Sequence, residues 1–286
     1  MTKTILVTGA GSGFGEGVAL GLAREGYNVI AAVQIWPQVT ALRGRASAEG
    51  LANLRVEKLD LLDELDLRQA FSWNIDILFN NAGIGEGGPV AEIPLPLVRG
   101  NFEANVFGPL ALTQGFVRKW VAGKRQAKIV FTSSTAGLVT HKGTTTYSAT
   151  KHALEAIAEG LRQELARYGI KVQTINPGAY STGFNERMTE TALRWLDDSW
   201  NFTKRAELGP LFYGRFQADS GRLDPSDVIE QMVRIIPDMP ELAVQPEPGQ
   251  AAPPAPASSG GCPHDRLHRR SSAPAVDRRA RLTAAD

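Results

Sequence analysis

Lys3-Thr4-Ile5-Leu6-Val7-Thr8-Gly9-Ala10-Gly11-Ser12-Gly13-Phe14-Gly15 is the stretch that decides the fold of this 286-residue chain. Its first six residues form a short apolar run rich in β-branched side chains, the pattern of a strand buried in a parallel sheet. Four glycines follow at alternate positions, and Gly17 to Gly26 then reads as a helix closed by glycine. A glycine-rich turn between strand and helix lets the backbone approach a pyrophosphate, which sits on the positive end of the helix. The spacing is T-G-x-x-x-G-x-G, not G-x-G-x-x-G. Glycine turns also arise for plain packing reasons, so the turn alone leaves both readings open.

Outward from this turn, strand and helix signals alternate. Further strands are expected at Tyr27–Gln34, Leu54–Leu59, Ile75–Phe79, Lys128–Thr132 and Lys171–Ile175, with amphipathic stretches at Val98–Val121 and Ser148–Tyr168 among them. That alternation predicts an α/β fold with a doubly wound parallel sheet, whose ligands bind at the carboxyl ends of the strands. The chain is 43% hydrophobic and 21% charged, with a formal net charge of +1. A real core is available, and nothing points to a nucleic-acid or acidic-membrane partner. No segment approaches eighteen consecutive apolar residues, and the first strand begins at once, so neither membrane spanning nor secretion is expected. The single cysteine, Cys262, precludes an internal disulfide and suits a reducing cytoplasm.

The chemistry is carried by Tyr147 and Lys151 in TTYSATKHALEA, with Ser134 thirteen residues upstream in TSSTAG. If Ser148 onward is helical, positions four apart share a face and set the Lys151 ammonium beside the Tyr147 phenol. A free phenol has a pKa of about 10, too high for a good proton relay at neutral pH. A nearby cation favours the phenolate and pulls that value toward working pH, and the serine hydroxyl can hold a carbonyl or alcohol oxygen within reach. The bland reading of the pair alone is an exposed helix surface.

Together these residues resemble the short-chain dehydrogenase/reductase family over about residues 1 to 240. Five patches agree in type, order and spacing: Thr8-Gly9 through Gly13 and Gly15; Asn80-Asn81-Ala82-Gly83; Asn105; Ser134 with Tyr147 and Lys151; and Asn176-Pro177-Gly178 followed by Thr182. The resemblance implies a Rossmann-type fold and an NAD- or NADP-dependent oxidoreductase that interconverts a secondary alcohol and a ketone, with no metal. It implies that Tyr147 is the acid/base, that Lys151 lowers its pKa and holds the nicotinamide ribose, and that Ser134 orients the substrate oxygen. Asn105 would hold a water linking Lys151 to solvent. Gly9, Ser12, Gly13, Phe14 and Gly15 would cradle the cofactor, and Asn81, Ala82 and Gly83 would shape its adenosine side. Pro177, Gly178 and Thr182 would close over the carboxamide. Asp60 would contact the adenine amine, although it could equally be a helix N-cap for Leu61 onward. The selector position, Val33-Gln34, carries neither acid nor base, so NAD and NADP stay open with a slight tilt toward NADP. In such proteins the helices at Val98–Val121 and Ser148–Tyr168 often pair with a second subunit, which suggests a homodimer or homotetramer.

Residues 1–245 are expected to form the catalytic domain, with a substrate lid at about 180–224. Tyr180 to Phe216 holds eight of the chain's 21 aromatics. These would wall a site for a bulky, apolar alcohol or ketone, or pack the lid's own helices. Asp197 and Asp198 argue against a strongly anionic substrate near that turn. Residues 246–286 have seven prolines, six arginines, no lysine and no aromatic, the composition of a disordered tail. The last strand of the family has only Leu242-Ala243-Val244 as a candidate. Two alternatives are a nucleotide-sugar epimerase or dehydratase using the same Tyr/Lys pair, and a non-catalytic dinucleotide sensor on the same fold.

Overall fold

The structure, a computed structural model, describes residues 2–216 and 224–238. The expected tail, the candidate strand at Leu242–Val244, Cys262 and part of the expected lid lie outside these residues.

Six strands, β1 (Thr4–Thr8), β2 (Asn28–Val33), β3 (Leu54–Lys58), β4 (Ile77–Asn80), β5 (Ala127–Thr132) and β6 (Ile170–Ile175), form one sheet in the order β3-β2-β1-β4-β5-β6. Every pairing is parallel. All six expected strands are present, each displaced by no more than two residues at either end. Side chains alternate across the pleat. Ile5, Val7, Val29, Ala31 and Val130 enter one core beneath α1 (Gly13–Arg24), α2 (Trp36–Ala48) and α9 (Ser226–Ile235). Leu6, Ile30, Leu78, Ile129 and Phe131 enter the other, beneath α3 (Glu64–Ala70), α5 (Gly108–Ala122) and α6 (Thr145–Leu165). These strands are buried on both faces, which is why their sequences are continuous apolar runs.

Two helices differ from expectation in ways that matter for the site. The stretch expected as one helix from Val98 is α4 (Leu95–Phe102), a π-helical turn (Glu103–Phe107) and then α5. Gly108 N donates to Glu103 O, five residues back. Pro109 has no N–H, so it can close neither the α-type bond to Asn105 nor the π-type bond to Ala104. The wide turn sits where that proline interrupts the ladder. The second difference is α6, which begins at Thr145 rather than Ser148, so Tyr147 already lies in its first turn. Among the described residues, no helix is long and apolar enough to cross a membrane.

Strand order reverses between β1 and β4, and the turns leaving these two strands therefore diverge. A crevice opens between them at their carboxyl ends. Beyond β6 the chain continues into α7 (Phe184–Trp195) and α8 (Arg205–Phe216), which share a small apolar cluster of Met188, Ala192, Leu196, Leu208 and Phe212.

Candidate active site

One cavity of about 810 Å³ runs along this edge of the sheet. Every expected site residue lines it except Gly15 and Asn105. Gly13 lies at φ +58°, in the left-handed region, and a Cβ on Gly15 would stand 2.3 Å from Gly9 O. The turn can take this path only without side chains at those positions. Ser12 occupies the N-cap position of α1, yet its side chain makes no capping hydrogen bond. The first-turn amides of α1 are thus left to other acceptors, as an anion site requires.

Asn81 joins the strand ends. Its Nδ2 donates to Thr8 O (3.1 Å), and its Oδ1 accepts from Thr132 Oγ1 (3.1 Å). Thr8 Oγ1 accepts from the N–H groups of both Asn81 and Ala82 at 3.0 Å. Asn80 is the last residue of β4, and its side chain donates to Thr113 Oγ1 (3.0 Å).

At the β2/β3 end, Gln34 Nε2 donates to Asp60 Oδ2 (3.2 Å), and Gln38 Oε1 accepts from Gln34 N (3.1 Å). The helix-cap reading of Asp60 is overturned. Its Oδ1 accepts only from Leu62 N in a local turn, and α3 starts later, capped by Asp63 through the amides of Leu65 and Asp66. Arg43 and Arg45 are committed elsewhere, to Val56 O (2.8 Å) and Glu16 Oε1 (2.5 Å).

At the centre, Tyr147 and Ser134 line the cavity together, and Ser134 Oγ donates to Pro177 O (3.4 Å). Ser134 also caps the short helix at Thr135–Gly137, where Ala136 N donates to its Oγ (3.1 Å). The Lys151 ammonium lies 5.6 Å from the Tyr147 ring centroid and donates to Thr132 O (2.8 Å). Lys151 is only 4% exposed. Burial pushes its pKa down to about 8, while the Glu155 carboxylate draws it upward. Asn176 holds that carboxylate, donating to Glu155 Oε1 (2.5 Å) and Ser134 O (3.2 Å).

Tyr147 departs from expectation. Its pKa is not lowered: burial pushes it up to about 12, and the Ser134 hydroxyl draws it only partly back. A phenolate at the base of this cavity loses its hydration, and the lysine meant to compensate is itself desolvated and turned to a backbone carbonyl. Asn105 departs as well. Its Oδ1 accepts from Ile84 N (2.7 Å), and its Nδ2 donates to Ile84 O (2.8 Å), so the side chain clamps the loop after β4.

The far end departs most. Of the described aromatic side chains from Tyr180 to Tyr213, only Tyr180 and Phe184 line the cavity. Phe184 packs on Tyr147 with ring centroids 5.4 Å apart, while Trp200 (88% exposed) and Phe202 (72%) face outward. Asp197 and Asp198 bind their own turn through Ser199 and Arg205, and neither reaches the cavity. Besides Asp60 at the β2/β3 end, the carboxylate that lines the cavity is Glu86, which stands with Thr191. Burial raises the Glu86 pKa, against the Thr191 hydroxyl and the Arg194 charge. The sequence carried one unread signal for it: Glu86 is the sole charged residue in Gly83-Ile84-Gly85-Glu86-Gly87-Gly88.

A parallel sheet whose order reverses beside a glycine turn is the architecture of doubly wound nucleotide-binding enzymes. Residues 3–193 match the family model described as short chain dehydrogenase, and the chain belongs to that family. It is accordingly an oxidoreductase of the kind that acts on CH–OH groups, in a family that binds NAD or NADP. The uncharacterized oxidoreductase YusZ of Bacillus subtilis is 38% identical over 63% of this chain and 66% of its own length. The diacetyl reductase [(S)-acetoin forming] of Staphylococcus epidermidis is 30% identical over 80% of this chain and 89% of its own. Among solved structures, the closed form of serine dehydrogenase complexed with NADP+ superposes with a TM-score of 0.66 at 26% identity, covering 80% of this chain and 87% of that one.

Proposed function

We propose that this protein interconverts a secondary alcohol and a ketone, with Tyr147 as the acid/base and Ser134 holding the reacting oxygen. The observation that carries this reading is the joint presence of Ser134, Tyr147 and Lys151 in the cavity that begins at the glycine turn. NAD or NADP, when bound, supplies or accepts the hydride. The cavity fits that group: the bare turn from Gly9 to Gly15 and the uncapped start of α1 suit a pyrophosphate, and Pro177, Gly178 and Thr182 line the wall next to Tyr147. Gln34, Gln38, Asp60, Ala82 and Gly83 would flank the adenosine half.

In reduction, the Tyr147 hydroxyl gives its proton to the carbonyl oxygen while Ser134 stabilises the charge that develops there. Burial keeps Tyr147 protonated at neutral pH, which is the form this direction needs. Lys151, mostly charged below about pH 8, favours the phenolate left after transfer. Asn105, which lies with Lys151 around Gly83, would hold a water through which Tyr147 regains its proton. In oxidation Tyr147 must first lose its proton, so that rate should climb as pH rises.

The cofactor remains NAD or NADP. An amide at Gln34 repels neither ribose hydroxyls nor a 2′-phosphate, which retains the slight tilt toward NADP. The substrate is a small-molecule alcohol or ketone, and the protein is inferred to work as a homodimer or homotetramer. Exposed Leu95 and Phe107 on the α4–α5 segment suit such pairing. Titrating the protein with NADH and NADPH while following nicotinamide fluorescence tests binding, and a ketone panel with the bound dinucleotide tests turnover. Binding without turnover of any ketone or alcohol would favour a sensor and defeat the enzymatic reading.

A further inference from the structure

The reaction just proposed leaves two charged groups of the cavity, Glu86 and Arg187, without a role. Glu86 stands in a loop that is held from several sides. Asn105 clamps Ile84, Trp195 Nε1 donates to Gly87 O (3.2 Å), and Gly88 N donates to Gly143 O (2.7 Å). A Cβ on Gly85 would lie 2.9 Å from the Phe184 ring and 3.1 Å from Met188 Sδ. The loop is thus pressed against α7, and between Ile84 and Pro89 only Glu86 has a side chain. It is near the chemistry as well. A Cβ on Gly83 would lie 3.9 Å from Lys151 Nζ, and three further residues span at most about 11 Å of extended chain.

Glu86 Oε2 is buried and has no hydrogen-bond partner. Such an atom is exceptional in a folded protein, because removing a carboxylate oxygen from water is costly unless a donor replaces the lost hydration. Arg194, whose charge acts on Glu86, does not supply one, since it is paired with Glu190 (2.8 Å). Neighbouring Ile84, Phe184 and Met188 carry no side-chain donor, and the Thr191 hydroxyl donates to Met188 O (3.1 Å) and leaves Oε2 unmatched. Arg187, the charged side chain of α7 that lines the cavity, lies beside Gly183, whose Cβ would be 3.2 Å from its Nη1, on the side of Thr182 and the glycine turn.

We propose that Glu86 is a specificity-determining residue that accepts a hydrogen bond from a second donor on the substrate, a hydroxyl or an ammonium group near the reacting carbon. The preferred substrates are then diols, hydroxyketones and amino alcohols. Plain alcohols leave the carboxylate unmatched, and a carboxylate on the substrate would meet it with like charge. This rests on the oxidoreductase reading above and adds the chemical class of its substrate.

The experiment measures kcat/KM for oxidation of 2-butanol, 2,3-butanediol and 3-amino-2-butanol, with NAD and with NADP, by wild-type protein and by Glu86→Gln and Glu86→Leu. Wild-type protein should prefer the diol, the amino alcohol or both over 2-butanol by about tenfold or more, the usual worth of a hydrogen bond to a charged group. Glu86→Leu should collapse that ratio to about threefold or less. Glu86→Gln separates the two donors: a preference for the hydroxyl survives loss of charge, and a preference for the ammonium does not. Nicotinamide fluorescence titration of each variant confirms a folded, cofactor-competent protein. A wild-type ratio near one, or a ratio unchanged in Glu86→Leu, overturns the assignment while leaving the oxidoreductase reading intact. If wild-type protein binds cofactor and oxidises none of these alcohols, nor reduces the matching ketones, that reading fails and this one with it.

Discussion

The two ends of the cavity are made of different material. At the glycine turn the walls are backbone: the ends of β1 and β4, bare glycines, and Thr8 and Asn81 bonded across neighbouring strands. At the other end the walls are side chains brought from distant stretches, Glu86 from the loop after β4 and Phe184, Met188 and Thr191 from one face of α7. Backbone walls inherit their shape from the sheet and vary little. Side-chain walls can be changed one residue at a time, so substrate choice can be altered there without disturbing the cofactor half.

The largest test of this division sits where the two ends meet. Tyr147→Phe should lower turnover by about a thousandfold or more while nicotinamide fluorescence still reports near wild-type cofactor binding. Retained turnover would remove Tyr147 from the reaction. Gly15→Ala attacks the backbone end alone. Its methyl would meet Gly9 O at 2.3 Å, and the forced shift should weaken cofactor binding by about 10- to 100-fold. An unchanged titration curve would show that this turn does not shape the cofactor site.

A third test uses stability, which senses burial at both edges of the sheet. Lys151 beneath the cavity and Lys128 at the opposite edge are both nearly fully buried, with pKa values pushed down to about 8. The unfolded chain therefore holds more protons than the folded one from about pH 8 to about pH 10, and the free energy of unfolding should rise across that window. Each lysine should add about 1–2 kcal/mol between pH 7.5 and 9.5. Urea titrations at the two pH values measure the rise, and Lys128→Met, which also removes bonds to Ile235 O and Asp238 O, should make it shallower. A flat profile would mean that the ammonium groups are better solvated than their surroundings suggest.

Smaller still, Gln34→Asp should weaken NADPH by about tenfold relative to NADH, through repulsion of the 2′-phosphate. Equal losses for both would place the adenosine ribose elsewhere. Asp197→Asn should change kcat/KM by less than about twofold, because its carboxylate serves Ser199 in its own turn. A large effect would return that turn to the substrate end.

Most of the backbone end was legible in the sequence. Six apolar runs became six parallel strands, and the five motif patches fell at or beside their carboxyl ends, because periodicity and glycine spacing are local properties. Pro109 was also on the page, and its missing N–H accounts for the wide turn that a smooth amphipathic pattern concealed. The substrate end was left open between an aromatic wall and aromatics that pack the lid's own helices, and Phe212 and Trp195 take the second course. Eight aromatics allowed an aromatic wall, yet Trp200 and Phe202 face outward and Trp195 packs over Gly88. Composition counts such residues without saying which way a helix turns them. Asp60 illustrates the middle ground, since both of its readings were locally sound and only the start of α3 at Glu64 separated them.

The chain by itself determined the order of strands and helices, the bare turn after β1 and the identities of the serine, tyrosine and lysine, since these follow from neighbours a few residues apart. Tertiary structure alone decided the balance of charge and solvent among them. It half-buried Tyr147 and so raised its pKa, turned the Lys151 ammonium to Thr132, and set Glu86 against α7 with an oxygen unmatched. Desolvation depends on every atom packed around a group, and those atoms come from parts of the chain that no local pattern joins.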